Sequence, residues 1–117
     1  MSIESPITAA YGWHRFETKA LAFTITDASD VAVNLTGVSL QWLLLRQAGD
    51  AESRAYINKT SATISGGSSN IATVTVDDSE YDTVEAGYYY YELWDRDNDV
   101  LLAYADAVLL PGTKDEA

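Results

Sequence analysis

Hydrophobic residues recur at every second position over much of this chain, which is the period of a half-buried β-strand. In residues 19–26, KALAFTIT, Leu21, Phe23 and Ile25 fall on one face, and Ala20, Ala22, Thr24 and Thr26 on the other. Residues 38–46, VSLQWLLLR, put Val38, Leu40, Trp42 and Leu44 together. Their opposite face begins polar, with Ser39 and Gln41, and becomes apolar at Leu43 and Leu45, so the second half of this strand is expected to be covered on both sides. Residues 87–94, GYYYYELW, set Tyr89, Tyr91 and Leu93 against Tyr88, Tyr90, Glu92 and Trp94. The aromatic and β-branched content, with Gly37 and Gly49 bracketing the middle segment, favours strand over helix.

Turn formers separate these runs. Asp27 to Asp30 and Thr36-Gly37 are breaks around a short extended segment, Val31 to Leu35. A polar loop spans Gln47 to Ser53, and Arg54 to Lys59 predicts a strand around Tyr56 and Ile57. The stretch Ser65 to Asn70, SGGSSN, predicts a hairpin that pairs residues 60–65 with 71–76. Asp77 to Glu80 reads as a helix start, its carboxylates near the positive end of one helical turn over Ser79 to Val84. Asp95 to Asp99 makes the next turn, and Val100 to Leu110 is the closing strand, ended by Pro111-Gly112.

Strands of this length, with turns roughly every 8–12 residues, predict an all-β fold. The expected form is an antiparallel Ig-like β-sandwich of about seven strands with one short helical turn. Glu85-Ala-Gly-Tyr-Tyr89 is similar to the tyrosine corner of Ig-type domains, in which a Tyr hydroxyl returns to backbone near a strand start. Residues 1–16 are expected to form an N-terminal arm, 17–111 the sandwich, and 112–117 a charged C-terminal tail.

Composition narrows the function classes. The chain has 117 residues, 47 % of them hydrophobic, with three Trp and eight Tyr, a content that builds a core and is foreign to disordered chains. Without cysteine there is no disulfide framework, thiolate metal site or thiol nucleophile. Seven basic against eighteen acidic residues give a net charge of −11, which repels a phosphate backbone, so no nucleic-acid partner is expected. The first residues, MSIESPITAAYGWHRF, lack a basic region followed by an apolar run, and no stretch reaches the length of a membrane span, so neither secretion nor a membrane partner is expected.

Candidate chemistry is sparse. Asp95, Asp97 and Asp99 have the alternate spacing of a calcium loop, with Asp106 at the twelfth position, but the sixth position is Val100 where such a loop needs Gly. An acidic β-turn is the preferred reading, and no metal or cofactor is expected. His14 is the only histidine and has no nucleophile pattern near it, while helix-start capping accounts for Asp77, Asp78 and Glu80, so no catalytic residue is assigned. Asn34-Leu-Thr36 and Asn58-Lys-Thr60 match the glycosylation pattern and are read as chance. Flat rings suit contact surfaces, and Trp13, His14, Arg15 and Trp94 are the candidate interaction residues.

The order of segments resembles a family of small tailed-phage virion proteins and the N-terminal domains of phage baseplate upper proteins. The resemblance rests on Lys19-Ala-Leu-Ala-Phe-Thr-Ile-Thr-Asp27, then Val33-Asn-Leu-Thr-Gly37 leading into Val38 to Arg46, then Ala86-Gly-Tyr-Tyr-Tyr-Tyr-Glu-Leu93, and the closing strand after an acidic turn. It covers roughly residues 14–110. Those proteins often carry Arg-Gly-Asp-Thr before the first of these strands, where this chain has Arg15-Phe-Glu-Thr18. The resemblance implies a non-enzymatic virion component, a capsid decoration, tail or baseplate attachment module. Its partners would be other virion proteins, bound as a homo-oligomer or as copies on a lattice, where repetition strengthens a weak contact. The alternative is a carbohydrate-binding or adhesin-type module for host attachment, which calls for coplanar rings in the open.

Overall fold

The structure, a computed structural model, describes residues 11–60, 64–68 and 70–112. Eight strands are present among them: β1 Tyr11–His14, β2 Lys19–Thr24, β3 Leu40–Leu45, β4 Ile57–Thr60, β5 Ile64–Ser68, β6 Ile71–Val76, β7 Gly87–Asp95 and β8 Val100–Leu110. Two short 3-10 turns, Glu52–Arg54 and Asp78–Tyr81, complete the regular structure. The fold is all-β, as the alternation of the sequence predicts. The helical turn expected over Ser79 to Val84 is instead the second 3-10 turn, Asp78–Tyr81, and Asp77 before it makes no side-chain capping bond, a turn this short leaving few N–H groups to cap. The predicted hairpin forms between β5 and β6, with Ile64 opposite Val74 and Ser68 opposite Ile71, so it sits further along the chain than the 60–65 expected for its first strand.

The strands make a five-stranded sheet in the order β1-β8-β7-β3-β4 and a three-stranded sheet in the order β2-β6-β5. Every pairing is antiparallel except one. Tyr11–His14 runs parallel to Ala107–Leu110 of β8, which corrects the expectation of a purely antiparallel fold. Parallel neighbours need a long crossover, and the whole chain lies between this first strand and the last. These four residues, expected in an N-terminal arm, therefore close one edge of the larger sheet. A bulge in β8 opposite Leu93 and Trp94 inserts Leu102, since Leu93 faces Ala103 while Trp94 faces Leu101. The extra residue resets the inward phase of the longest strand.

The two sheets share one core. From β2 come Leu21 and Phe23, with Ile25 just beyond; from β6 come Ala72, Val74 and Val76; from the larger sheet come Trp42, Leu44, Tyr89, Tyr91 and Leu93, all buried. The ring of Phe23 meets that of Tyr91 edge-on between the sheets, centroids 5.6 Å apart, and Trp42 lies on the other side of Tyr91 at 6.0 Å. Such aromatic contacts add about 0.5–1.5 kcal/mol each beyond area burial. On the opposite face of β3, Leu43 and Leu45 are also buried, as the sequence predicts for a strand covered on both sides.

Polar groups fix the corners. The Tyr89 hydroxyl donates to the Glu85 carbonyl at 2.5 Å, closing the loop that feeds β7. At the sheet edge, Trp13 Nε1 donates to the Tyr81 hydroxyl at 2.7 Å, and that hydroxyl donates to the Glu17 carbonyl at 2.8 Å. Tyr81 thus joins the second 3-10 turn to β1 and its exit. Burial pushes the Tyr81 hydroxyl up to about 12, helped by the carboxylates of Glu17, Glu80 and Asp77 against the opposing pull of the Trp13 donor. On edge strand β4, Lys59 points inward and forms an ion pair with Glu80, a placement that discourages edge-to-edge pairing with other chains.

Candidate interaction face

Alternation along β7 and β8 determines what the larger sheet shows on the side away from the core. Tyr89, Tyr91 and Leu93 turn inward, so Tyr88, Tyr90, Glu92 and Trp94 turn outward, and the register sets them beside Val108, Asp106, Tyr104 and Leu101. Tyr88 is 79 % exposed and Tyr104 56 %, while Leu110 is exposed beside His14 at the β1 edge. Tyr90 and Tyr104 lie 6.2 Å apart with planes tilted by 39°, so these two rings do not form a single flat platform. Burial, followed by Glu92, Tyr104 and Asp106, raises the pKa of Tyr90, which stays a neutral hydroxyl near pH 7.

A polar network bounds one end of this face. The Arg96 guanidinium stacks on Trp94 at 4.4 Å and its Nε donates to Gln41 at 2.7 Å. The Gln41 amide donates in turn to Glu52 at 2.5 Å and to Asn58 at 3.1 Å. This satisfies a buried amide and ties the first 3-10 turn down over β3. At the other end Arg46 leaves β3, its guanidinium 5.7 Å from the centre of the Tyr89 ring, beside a cleft of about 420 Å³ lined also by Tyr88, Tyr90 and Asp106.

The four candidate interaction residues divide. Trp13 is only 2 % exposed and belongs to the core, where its indole N–H is used on Tyr81. The corrective principle is strand phase: Trp13 is paired with inward Leu109, so its ring follows that neighbour inside. Arg15 is half-buried and donates to the Tyr81 carbonyl at 3.0 Å, a structural use. His14 is exposed on the outer side, its Nδ1 donating to the Pro111 carbonyl at 3.1 Å, and Trp94 is half-buried on the same side under Arg96. Sequence reasoning did not single out Tyr104, Leu110, Arg46 or Arg54. The phase of β8 could not be read through the bulge at Leu102, and the arginines lie in or beside a loop without periodicity.

Among the carboxylates considered for chemistry, Asp95 and Asp97 are engaged in turns and Glu80 pairs with Lys59. Asp95 accepts the Asp97 N–H at 2.9 Å, the Asn98 N–H at 3.2 Å and the Asn98 amide at 3.1 Å, while Asp97 accepts the Ser39 N–H at 3.0 Å. Asp106 stands apart on β8 opposite Tyr90. Asn34 accepts the Thr36 N–H at 3.0 Å, again a local turn bond. No protein-family model matches this chain, and no curated protein matches it.

Proposed function

We propose that this chain is a non-enzymatic attachment module of a tailed-virus particle, an Ig-like β-sandwich that docks on capsid, tail or baseplate protein through the outer face of its larger sheet. The observation that carries the docking reading is that Tyr88, Tyr104 and Leu110 are all exposed along the outer side of β7 and β8. Large apolar groups on a flat sheet face cost solubility unless a partner covers them, and Tyr is favoured where such contacts form.

Several features favour the Ig-like reading. The three-stranded order β2-β6-β5 and the run β8-β7-β3 match the B-E-D and G-F-C strands of that architecture, with β4 extending the second sheet. Tyr89 makes the corner bond at the start of the strand equivalent to F. Tyr91, two residues on, stands where Ig domains place the second Cys of their disulfide, and Trp42 packs on it from the strand equivalent to C. Phe23 takes the partner position on β2, so an aromatic contact replaces the covalent link.

The resemblance to phage virion proteins gains support from Phe16. In Arg15-Phe-Glu-Thr18 this residue stands where the resembled proteins have Gly, and its φ is 64°, the left-handed region that Gly adopts without cost. The tilt between Tyr90 and Tyr104 weighs against the carbohydrate-binding alternative, which calls for coplanar rings. The test is incorporation: particles assembled with Tyr88→Ser and Tyr104→Ser together are expected to lose this chain. Full incorporation of that variant would refute docking through this face.

A further inference from the structure

We infer that a groove running from Tyr88 and Asp106 past Arg46 to Arg54 and Tyr56 takes an acidic, partly apolar segment of a partner protein, with Arg46 and Arg54 reading its carboxylates. The inference rests on the docking reading above and names the chemistry of the partner. Two clefts, of about 420 Å³ and about 450 Å³, share Arg46 and Gln47 and so adjoin at the end of the larger sheet where the chain leaves β3.

Charge marks this groove as exceptional. The chain has a net charge of −11, and its other described basic groups have local uses: Lys59 pairs with Glu80, Arg96 with Asp99 at 3.5 Å, Arg15 donates to the Tyr81 carbonyl, and Lys19 on β2 is likewise partnered. Arg46 and Arg54, both exposed, make no ion pair with a described residue. Of the two acids that line the groove, Asp50 accepts the Gln47 backbone N–H at 3.3 Å, and Asp106 stands on β8 opposite Tyr90. Two guanidinium groups thus line one groove on an otherwise acidic protein. A guanidinium fork matches a carboxylate in two-point geometry.

Arg46 is also held in place. Its guanidinium lies over Tyr89, a ring 4 % exposed that is fixed by its bond to Glu85 and braced edge-on by Tyr56 at 5.3 Å. Preorganisation of this kind lowers the entropy lost on binding. At the other end the groove is more apolar, flanked by the exposed Tyr88 ring, which suits an aliphatic or aromatic side chain next to the acid. Tyr and Arg together are the composition of binding hot spots. The Tyr56 and Tyr89 rings stand 83° apart, so the groove gives a sugar no flat floor.

The test is selection of a random displayed-peptide library on the intact chain, followed by affinity measurement on synthetic versions of the enriched peptides. Enriched sequences are expected to carry Asp or Glu beside a large apolar residue. Arg46→Glu and Arg54→Glu should each weaken binding about tenfold or more, Arg46→Lys less, and Trp94→Ser at the far end less than about twofold. Circular dichroism and thermal melts establish that each variant is folded. Failure to enrich acidic peptides, or affinities indifferent to charge reversal, would overturn the inference. So would binding of a uronate-bearing glycan array that Arg46→Glu abolishes, which would assign the groove to saccharide. If Arg46→Glu chains still enter particles while Tyr88→Ser/Tyr104→Ser chains do not, the groove inference fails and the docking reading survives. Acidic-peptide binding by a chain that never enters particles supports the groove and sinks the virion reading.

Discussion

The rings of Phe23 on β2 and Tyr91 on β7 meet edge to face across the two sheets, with centroids 5.6 Å apart and planes at 72°. This contact joins an edge strand of the small sheet to the central strand of the large one in a chain that has no cysteine to do so. Phe23→Ala is expected to destabilise the fold by about 3–5 kcal/mol, most of it from lost burial and the cavity left behind. A double-mutant cycle with Tyr91→Leu, read from urea unfolding, should return a coupling of about 0.5–1.5 kcal/mol. Additive effects would show that the pair is mere neighbouring bulk.

Tyr81 makes stability sensitive to alkali. Its hydroxyl is pushed up to about 12 in the fold, chiefly by burial, against an ordinary value of 10.0. The unfolded chain loses this proton first as pH rises, so the contribution is complete below pH 10 and is lost between about 10 and 12. Tyr81→Phe should flatten that part of the pH–stability curve. At pH 7 it should cost about 1–3 kcal/mol, because the buried Trp13 N–H loses its acceptor. Thermal melts across pH 7 to 12 check both.

At Phe16 the backbone asks for glycine and the side chain gives something back. Its φ is 64°, while its ring contacts Tyr81 at 6.1 Å and carries the Arg15 guanidinium at 4.6 Å. Phe16→Ala and Phe16→Gly remove the same ring, so their difference isolates the backbone. The Gly variant is expected to be the more stable by about 1 kcal/mol in urea titrations, and equal stabilities would show that the turn carries no strain.

Lys59 protects an edge. Replacing both members of its ion pair, Lys59→Leu with Glu80→Leu, should leave a folded chain with an apolar β4 edge that associates in light scattering. Lys59→Ala alone should destabilise by about 1–3 kcal/mol, since Glu80 then loses its charged partner. A double variant that stays monomeric at high concentration would remove the protective role.

Much of the fold was legible because one signal, the two-residue period, dominates this chain. It grouped Leu21 with Phe23, Trp42 with Leu44 and Tyr89 with Tyr91 on shared faces, all of which the fold buries, and foresaw cover on both sides of Leu43 and Leu45. The return of a Tyr hydroxyl to backbone near the start of β7 was legible as a local motif, and the Tyr89–Glu85 bond is present. What the pattern could not carry was long-range. The parallel seat of Tyr11–His14 on β8 depends on which edge of the sheet lies open, and nothing in four residues states that. Trp13 was misjudged for the same reason, since an arm has no phase and a strand does. The bulge at Leu102 hid which β8 residues face outward, and with them the exposed Tyr104 and Leu110. The groove between Arg46 and Arg54 forms only when the loop after β3 folds back beside β7, a juxtaposition with no sequence period.

The outer face separates stability from attachment. Tyr88→Ser and Tyr104→Ser each remove an exposed ring and should shift unfolding free energy by less than about 0.5 kcal/mol. Their effect on occupancy in assembled particles should be large by comparison. Loss of folding in either variant would show that these rings belong to the core and not to an interface.

The most direct measurement is cryo-EM of the particles made from the genome that encodes this chain. Density for the two-sheet domain is expected to repeat on the capsid, tail or baseplate, with Tyr88 and Tyr104 against a neighbouring protein. Particles that lack the domain, or that carry it with the β7–β8 face bare to solvent, would contradict it.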